Sequence, residues 1–344
     1  MTSEAGPEAD PVKAGYDALR SSAAAAELAR DVVRLSGPDT LSYLQGQCSQ
    51  DVSGLRLGHP VDALLLSPQG KVDAFVRVTR TGDDEVVLDA DAGAGEAVRD
   101  RLERFRLRVK VTVELVPGWA CVAVRGPRAG DDSLTTVGAV ATSEGGPLRL
   151  PVSWPGLTGF DLLGPRPETG EPAEAWVRRS VVRCLDDAWE AARIEAGVPV
   201  QGRELTEATI AAEVGLVDRS VSFTKGCFTG QELVARLDAR GSKVARLLRG
   251  LVIEAPHGRL DQPPVGATVV TQDDHHEVGH LTSVAWSPGL QAPVALAVLH
   301  RRVTPPETVV VEWPVLGEAG SRTVQAEARV LPLTPPSLGG EPPP

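Results

Sequence analysis

The order of strand and helix patterns along this chain restricts its fold more than any other feature. Short alternating apolar runs at residues 61–66, 71–79 and 85–89 read as three strands, separated by the turn signals SPQG and RTGDD. A helix pattern follows at 96–106 and a strand pattern at 109–115. The order then returns: strands at 120–124, 148–152 and 159–163, and a helix at 172–179. No sequence repeat accompanies it, so the order alone points to two related α+β units packed together. A further helix is predicted over 188–196, with Asp187 and Glu190 spaced as a capping box and Gly197 and Pro199 as stop signals. After Gly241, short strands with Gly and Pro turns describe a small all-β, barrel-like domain. The polar stretch 1–20 and the tail 335–344 are expected to be disordered. Residues 21–243 would then hold the two α+β units, with a boundary near 117, and 244–334 the barrel.

A chain of 344 residues accommodates such a division. No apolar run approaches the roughly 20 residues that span a bilayer. The N-terminus, MTSEAGPEAD, lacks the basic and apolar regions of a secretory signal. The expectation is a cytoplasmic protein with no membrane partner. The formal net charge of −11 repels nucleic acid and anionic membranes over most of the surface. Arg236, Arg240, Lys243, Arg246 and Arg249 are a local exception, with Asp238 the only acid among them. They form either a solvated basic face or an anion-binding patch.

The four cysteines, Cys48, Cys121, Cys184 and Cys227, include no CxxC pair. That spacing argues against a disulfide framework, a metal finger, or a cluster held by this chain alone. The run HHEVGH at 275–280 places His276 and His280 on one face of a strand. The preceding Gln272, Asp273 and Asp274 make a hairpin tip the better reading, and no metal site is assigned.

One cysteine stands in a distinctive setting. SFTKGCFTGQE, residues 222–232, places Cys227 between Gly226 and Gly230, two residues after Lys225. Thr229 and Glu232 have capping-box spacing, and a helix is predicted to follow and end at Gly241. The free amides and dipole of a helix start favour an anion, and Lys225 would add to that field. The glycines permit tight turns and close ligand approach. A buried, inert cysteine in a plain loop remains the other reading. No histidine lies nearby in sequence to serve as a base.

The octapeptide KGCFTGQE closely resembles the signature KGCYTGQE of the YgfZ proteins, with Phe228 where tyrosine is usual. RIEAGVPVQGREL at 193–205 is similar to the family's R-I-E-A-G-I-P segment. LSGPDTLSYLQGQCSQDVSGL at 35–55 and VGHLTSVAWSP at 278–288 resemble its N-terminal and barrel stretches. These are folate-binding proteins related to the T protein of the glycine cleavage system, an aminomethyltransferase. The resemblance implies two interlocked α+β (ferredoxin-like) domains and a C-terminal β-barrel in a three-lobed ring, with tetrahydrofolate in the central opening. It implies a function in assembly or repair of iron–sulfur enzymes, chiefly 4Fe–4S ones, linked through them to tRNA thiomethylation. The partners implied are folate and iron–sulfur client or assembly proteins; the basic patch 236–249, read as an anion site from its charge, would take a folate glutamate tail or a weak tRNA contact.

Carried over by position, Cys227 is the reactive thiol, with Lys225, Gly226, Gly230, Gln231 and Glu232 around it. Trp189 stands at the offset of a folate-contacting tryptophan, and Glu195 matches the glutamate that anchors the pterin in the T protein, next to Arg193. A carboxylate can accept two hydrogen bonds from an aminopyrimidine edge, and an aromatic face can stack on the ring. Two departures matter. A second family tryptophan falls near Arg30 here, which leaves one stacking partner fewer. Asp73 lies near the aspartate that positions folate for methylene transfer, but Ala74 follows it where the T protein has a second aspartate. A folate-dependent one-carbon transferase is therefore the alternative reading, and a non-catalytic docking module is a third.

Overall fold

The computed structural model describes residues 10–137, 146–166, 172–239, 241, 243–317 and 320–333. Arg240, the first nine residues and the tail expected to be disordered lie outside these.

The chain opens with α1 (Pro11–Ser21), where disorder was expected. Asp10 accepts a hydrogen bond from the Val12 amide at 2.9 Å, and proline occupies the first turn. Both are helix-start signals. Gly15, Tyr16, Ala18 and Leu19 give α1 one buried face, which the polar composition concealed. Next come β1 (Ala24–Leu28), β2 (Arg30–Ser36), α2 (Thr40–Gln47), β3 (Pro60–Leu66), β4 (Val72–Arg80), β5 (Glu85–Asp91), α3 (Gly95–Phe105) and β6 (Thr112–Leu115). They are followed by β7 (Trp119–Arg125), β8 (Leu148–Trp154), β9 (Leu157–Pro165), β10 (Val182–Arg183), α4 (Asp186–Glu195), α5 (Val217–Ser220) and α6 (Gln231–Asp238). The predicted helix at 172–179 is only a 3-10 turn, Ala173–Trp176. Its continuation is pre-empted when the Arg178 amide bonds to the Leu134 carbonyl.

Two five-stranded sheets result, ordered β3-β4-β5-β2-β6 and β10-β1-β7-β9-β8. β1 precedes the first sheet in sequence yet belongs to the second, so the two units interlock. Alternation decides what each face covers. In the first sheet Val76, Val78, Val86 and Leu88 pack beneath α2 and α3, while Val32 and Val87 face the second sheet's Cys121, Leu150 and Leu163.

The remaining strands are β11 (Arg246–Ile253), β12 (Thr268–Thr271), β13 (Glu277–Ser287), β14 (Ala292–His300), β15 (Glu307–Gly317) and β16 (Gly320–Leu331). They close a barrel in the order β11-β14-β13-β12-β15-β16. Leu251, Ile253, Val269, Leu281, Val311 and Val330 fill it. Leu248, Ala285, Val294 and Leu296 of its outer surface join Trp189 and Ile194 of α4 in the central apolar cluster. Among the described residues, no helix is long and apolar enough to cross a membrane.

Candidate functional site

Cys227 lies between α5 and α6 on a loop fastened to the last turn of α2 and the residues just after it. The Ser222 amide donates to Ser49 O at 3.0 Å, and the Thr229 amide to Gly46 O at 3.3 Å. Lys225 supplies the strongest tie. Its Nζ donates to the carbonyls of Gln45, Cys48 and Gln50 at 2.6, 2.9 and 2.8 Å. The side chain is buried, and its ammonium lies 5.3 Å from the centre of the Phe228 ring. Burial lowers its pKa. Lys225 therefore spends its three donors behind the loop, where sequence reasoning had assigned its charge to the thiol.

Cys227 itself is exposed, unlike the other three cysteines. Burial pushes Cys48 up to about 11 and Cys184 up to about 12, and raises Cys121 further. Those three are inert packing thiols. The predicted capping box is not formed: Gly230 caps α6 with φ +79°, and no side chain bonds there. A Cβ on Gly230 would stand 2.5 Å from Ser67 O, and one on Gly70 2.5 Å from Leu233 Cβ. The 67–70 turn and the start of α6 thus meet through two glycines with positive φ. Gln231 is half-buried and Glu232 exposed.

That turn leads into Asp73. Arg101 of α3, itself buried, donates from Nε to Asp73 at 3.1 Å, from Nη2 to Leu66 O at 2.8 Å and from Nη1 to Gln47 Oε1 at 3.3 Å. Gln201 Nε2 donates to the Asp73 carbonyl at 3.3 Å, while its own Oε1 is buried without a partner.

Trp189 is 9% exposed. Its ring lies 5.0 Å from that of Trp154, tilted by 60°. Arg125 covers both indoles, 5.2 Å from the Trp154 centre and 5.5 Å from that of Trp189. Trp154 thus supplies the aromatic partner that Arg30 does not. Arg125 is fully buried. It donates to Asp161 at 2.6 Å and to Phe160 O at 2.7 Å, and its Nε–H has no partner. From Asp161 the chain of charges continues to Arg77 at 2.7 Å, on to Asp89 at 2.9 Å, and then to Arg30 at 2.7 Å. Arg30 also pairs with Asp91, which accepts from the Gln201 amide at 2.9 Å. Burial pushes the Asp161 carboxyl up, but Arg125 and Arg77 outweigh it and hold it at about 2. The sequence signal for this chain was available: lone charges inside apolar strands, as in AFVRV and VVLDA, must be matched.

Glu195 is engaged elsewhere. Tyr16 of α1 donates to both carboxylate oxygens at 2.8 and 2.9 Å, and Arg20 pairs with the same group. Six residues separate it from Trp189, which turns it roughly 120° around the helix and moves it about 9 Å along the axis. The structure does not bring the two onto one face. The predicted Asp187–Glu190 box is also absent, because Glu190 instead bonds Arg193 at 2.6 Å and Arg203 at 2.5 Å. Arg193 is buried, donating to Ser283 Oγ at 2.7 Å and pairing with Glu204 at 3.5 Å. Glu204 accepts from Thr282 and Ser283 at 2.7 and 2.6 Å. RIEAG, GREL and LTSVAWSP therefore meet at one buried ion pair that fastens α4 to the barrel. Arg193 is committed to that joint and is not free for a ligand. Among the described residues, no three His, Cys, Asp or Glu side chains are placed to hold a metal ion. His275 instead contacts Glu312 at 3.0 Å.

Comparison with known proteins fits this geometry. The family model for the glycine cleavage T-protein C-terminal barrel domain matches residues 246–331, the six barrel strands. An aminomethyltransferase of Acidobacterium capsulatum is 26% identical over 323 residues, covering 87% of this chain and 81% of that protein. A tRNA-modifying protein YgfZ of Edwardsiella ictaluri is 28% identical over 239 residues, covering 67% of this chain and 71% of that one. The crystal structure of glycine cleavage system aminomethyltransferase T from Bartonella henselae superposes with a TM-score of 0.75 at 19% identity. It covers 94% of this chain and 88% of its own, and shows a shared fold.

Proposed function

We propose, from its similarity to the YgfZ proteins and to the glycine cleavage T protein, that this chain is a folate-binding accessory protein of the cytoplasm. It would support the assembly or repair of 4Fe–4S enzymes, with Cys227 as its working thiol. The observation that carries this reading is the isolation of that thiol. Cys227 is exposed on a loop braced from behind, while Cys48, Cys121 and Cys184 are buried. A thiol so displayed is available to iron or sulfur on a client protein, and the brace holds it out without consuming it.

Tetrahydrofolate is the ligand this reading assigns to the region of Trp154 and Trp189; when bound, it supplies a carrier for one-carbon groups. The residues present fit a planar heteroaromatic ring. Two indoles offer apolar faces and edges. The unpartnered Nε–H of Arg125, which lies over both rings, is a spare buried donor. Trp189 is nearly covered, so a stacking ligand must part it from Trp154. Glu195 could receive a pterin edge only after Tyr16 and Arg20 release it.

The transferase reading rests on Asp73, whose turn abuts the cysteine loop, and on the relative named as an aminomethyltransferase. Calorimetric titration with tetrahydrofolate under anaerobic conditions separates the readings. Wild type should bind saturably, and Trp189→Ala should bind at least tenfold more weakly. Cells carrying Cys227→Ala should lose 4Fe–4S enzyme activity. No binding by wild type overturns the folate assignment, and normal activity with Cys227→Ala overturns the thiol's role. Turnover of an aminomethyl donor with tetrahydrofolate would select the transferase.

A further inference from the structure

RFRLRVKVTV, residues 104–113, alternates polar with apolar residues and holds four cations and no acid. It joins α3 to β6, and the fold leaves most of it uncovered. Leu107 is 76% exposed and Phe105 37%. Arg104, Arg108 and Lys110 are exposed and form no ion pair within 4.0 Å among the described residues, whereas Arg106 pairs with Glu103 at 2.9 Å. The loop is still held in place: the Lys110 amide donates to Asp39 Oδ2 at 2.7 Å, and the Lys110 carbonyl accepts from the Asp39 amide at 3.4 Å. Arg101 lies 5.3 Å from the centre of the Phe105 ring, so the patch begins one helical turn from the arginine that holds Asp73.

This loop leads into an open sheet edge. β6 is the outermost strand of its sheet and pairs only with β2 among the described residues. The Val116 amide donates to Val32 O at 2.8 Å. Pairing groups alternate along an antiparallel ladder, so Thr112 and Glu114 turn theirs to β2, and Val113 and Leu115 turn theirs outward. On the same outward side, the Val111 carbonyl accepts from Arg106 Nη1 at 3.1 Å. The other edges differ. Ser49 bonds alongside β3, its amide donating to Leu64 O at 3.0 Å, β10 has only two residues, and Pro151 leaves β8 short of a donor.

Three properties select the occupant. Outward amides and carbonyls need donors and acceptors in return, which a polypeptide backbone supplies and which lipid tails and phosphates do not. Unpaired cations need carboxylates, and they repel a second copy of this same edge. Exposed Leu107 and Phe105 need apolar side chains. We propose that the β6 edge and the 104–110 loop dock an extended acidic segment of a partner protein as an added strand. The partner's backbone pairs with Val113 and Leu115, its carboxylates meet Arg104, Arg108 and Lys110, and its apolar side chains cover Leu107 and Phe105. With a net charge of −11 elsewhere repelling an acidic partner, the contact is confined to this patch. None of this depends on folate or on Cys227.

The test is fluorescence anisotropy with a labelled peptide of about eight residues alternating Glu and Val, followed by amide hydrogen exchange on the complex. The wild-type chain should bind saturably below about 1 mM peptide. Arg104→Glu/Arg108→Glu should bind at least about tenfold more weakly, and Leu107→Ser about fivefold more weakly, each at the wild-type melting temperature. Raising salt from about 50 to about 500 mM should weaken wild-type binding about tenfold. Bound peptide should slow exchange of the Val113 and Leu115 amides at least about tenfold and leave those of Thr112 and Glu114 as they were. Four results would overturn the proposal: no saturable binding by wild type, unchanged binding by the charge variant, binding without protection of Val113 and Leu115, or equal displacement by polyglutamate, which would reduce the contact to charge alone. Displacement by a tRNA transcript or by phosphatidylglycerol vesicles at lower concentration than unlabelled peptide would also overturn it and give the patch to that surface instead.

Discussion

Cys227 and Asp73 sit on segments that touch, yet the fold treats them in opposite ways. The turn before Asp73 packs against the glycine that starts α6, three residues after Cys227. Asp73 is gripped by Arg101, and Arg101 by Leu66 and Gln47. Cys227 is exposed and has no side-chain bond among the described residues; its neighbour Lys225 takes the load on Gln45, Cys48 and Gln50. One stretch at the end of α2, QGQCSQ, braces both. A carboxylate held in an ion pair is oriented but occupied, whereas a thiol on a braced loop is oriented and free. That difference favours chemistry at sulfur over methylene transfer at Asp73.

The largest effect that bears on this contrast comes from pH, through the thiols that are not free. Cys48, Cys121 and Cys184 have pKa values raised by burial, so in the native chain they keep their protons where an unfolded chain has lost them. Their folded values lie above the unfolded ones, near 9, so the native state binds more protons and stability must fall as pH rises through that window. Each contributes about 1.4 kcal/mol per pH unit, up to about 11 for Cys48 and about 12 for Cys184. Lys225, lowered by burial, acts in the opposite sense as pH nears its unfolded value. Denaturant melts between pH 8 and 10 should show a net loss of a few kcal/mol. Over the same range, iodoacetamide should modify one thiol per native chain. Rapid modification of a second would break the contrast between Cys227 and the rest.

Next in size is the brace. Lys225→Met removes three charged hydrogen bonds and strands three carbonyls, a cost of about 3 kcal/mol. Denaturant midpoints measure it, and a loss under 1 kcal/mol would mean that the loop is held by its backbone bonds alone.

Most of this architecture was legible, and the parts that were not share a cause. Strand positions followed from alternation because each sheet buries one pattern per face; the barrel followed from its Gly and Pro turns. α1 escaped notice because its apolar face is short and built of Gly, Tyr, Ala and Leu within a polar stretch, although Asp10 and Pro11 announced it. Both capping boxes failed because a better partner was elsewhere: Glu190 found two arginines, and Gly230 supplied the geometry that Thr229 was expected to cap. Within the site, Cys227 and Trp189 stand out as sequence. Trp154, Arg125, Arg101 and Gln201 do not, since their roles come from contacts across more than twenty residues of chain, which spacing cannot reveal. Lys225 shows the same limit from the other side: nearness in sequence suggested a field on the thiol, and the folded chain turned the ammonium away.

The smallest effect is the sharpest test of the contrast. Asp73→Asn keeps the shape of the side chain and removes its charge. The carboxylate is partly solvated, with 36% of its side-chain surface exposed, so losing its pair with Arg101 should cost about 1 kcal/mol or less. Arg101 retains Leu66 O and Gln47, so α3 should stay in place. If sulfur carries the function, Asp73→Asn leaves 4Fe–4S enzyme activity in cells near the wild-type level, while the equally mild Cys227→Ala abolishes it. The reverse pattern, with Asp73→Asn inactive at full stability and Cys227→Ala active, would mean that the ion pair holds a working carboxylate in reserve. The exposed thiol would then be only a surface residue.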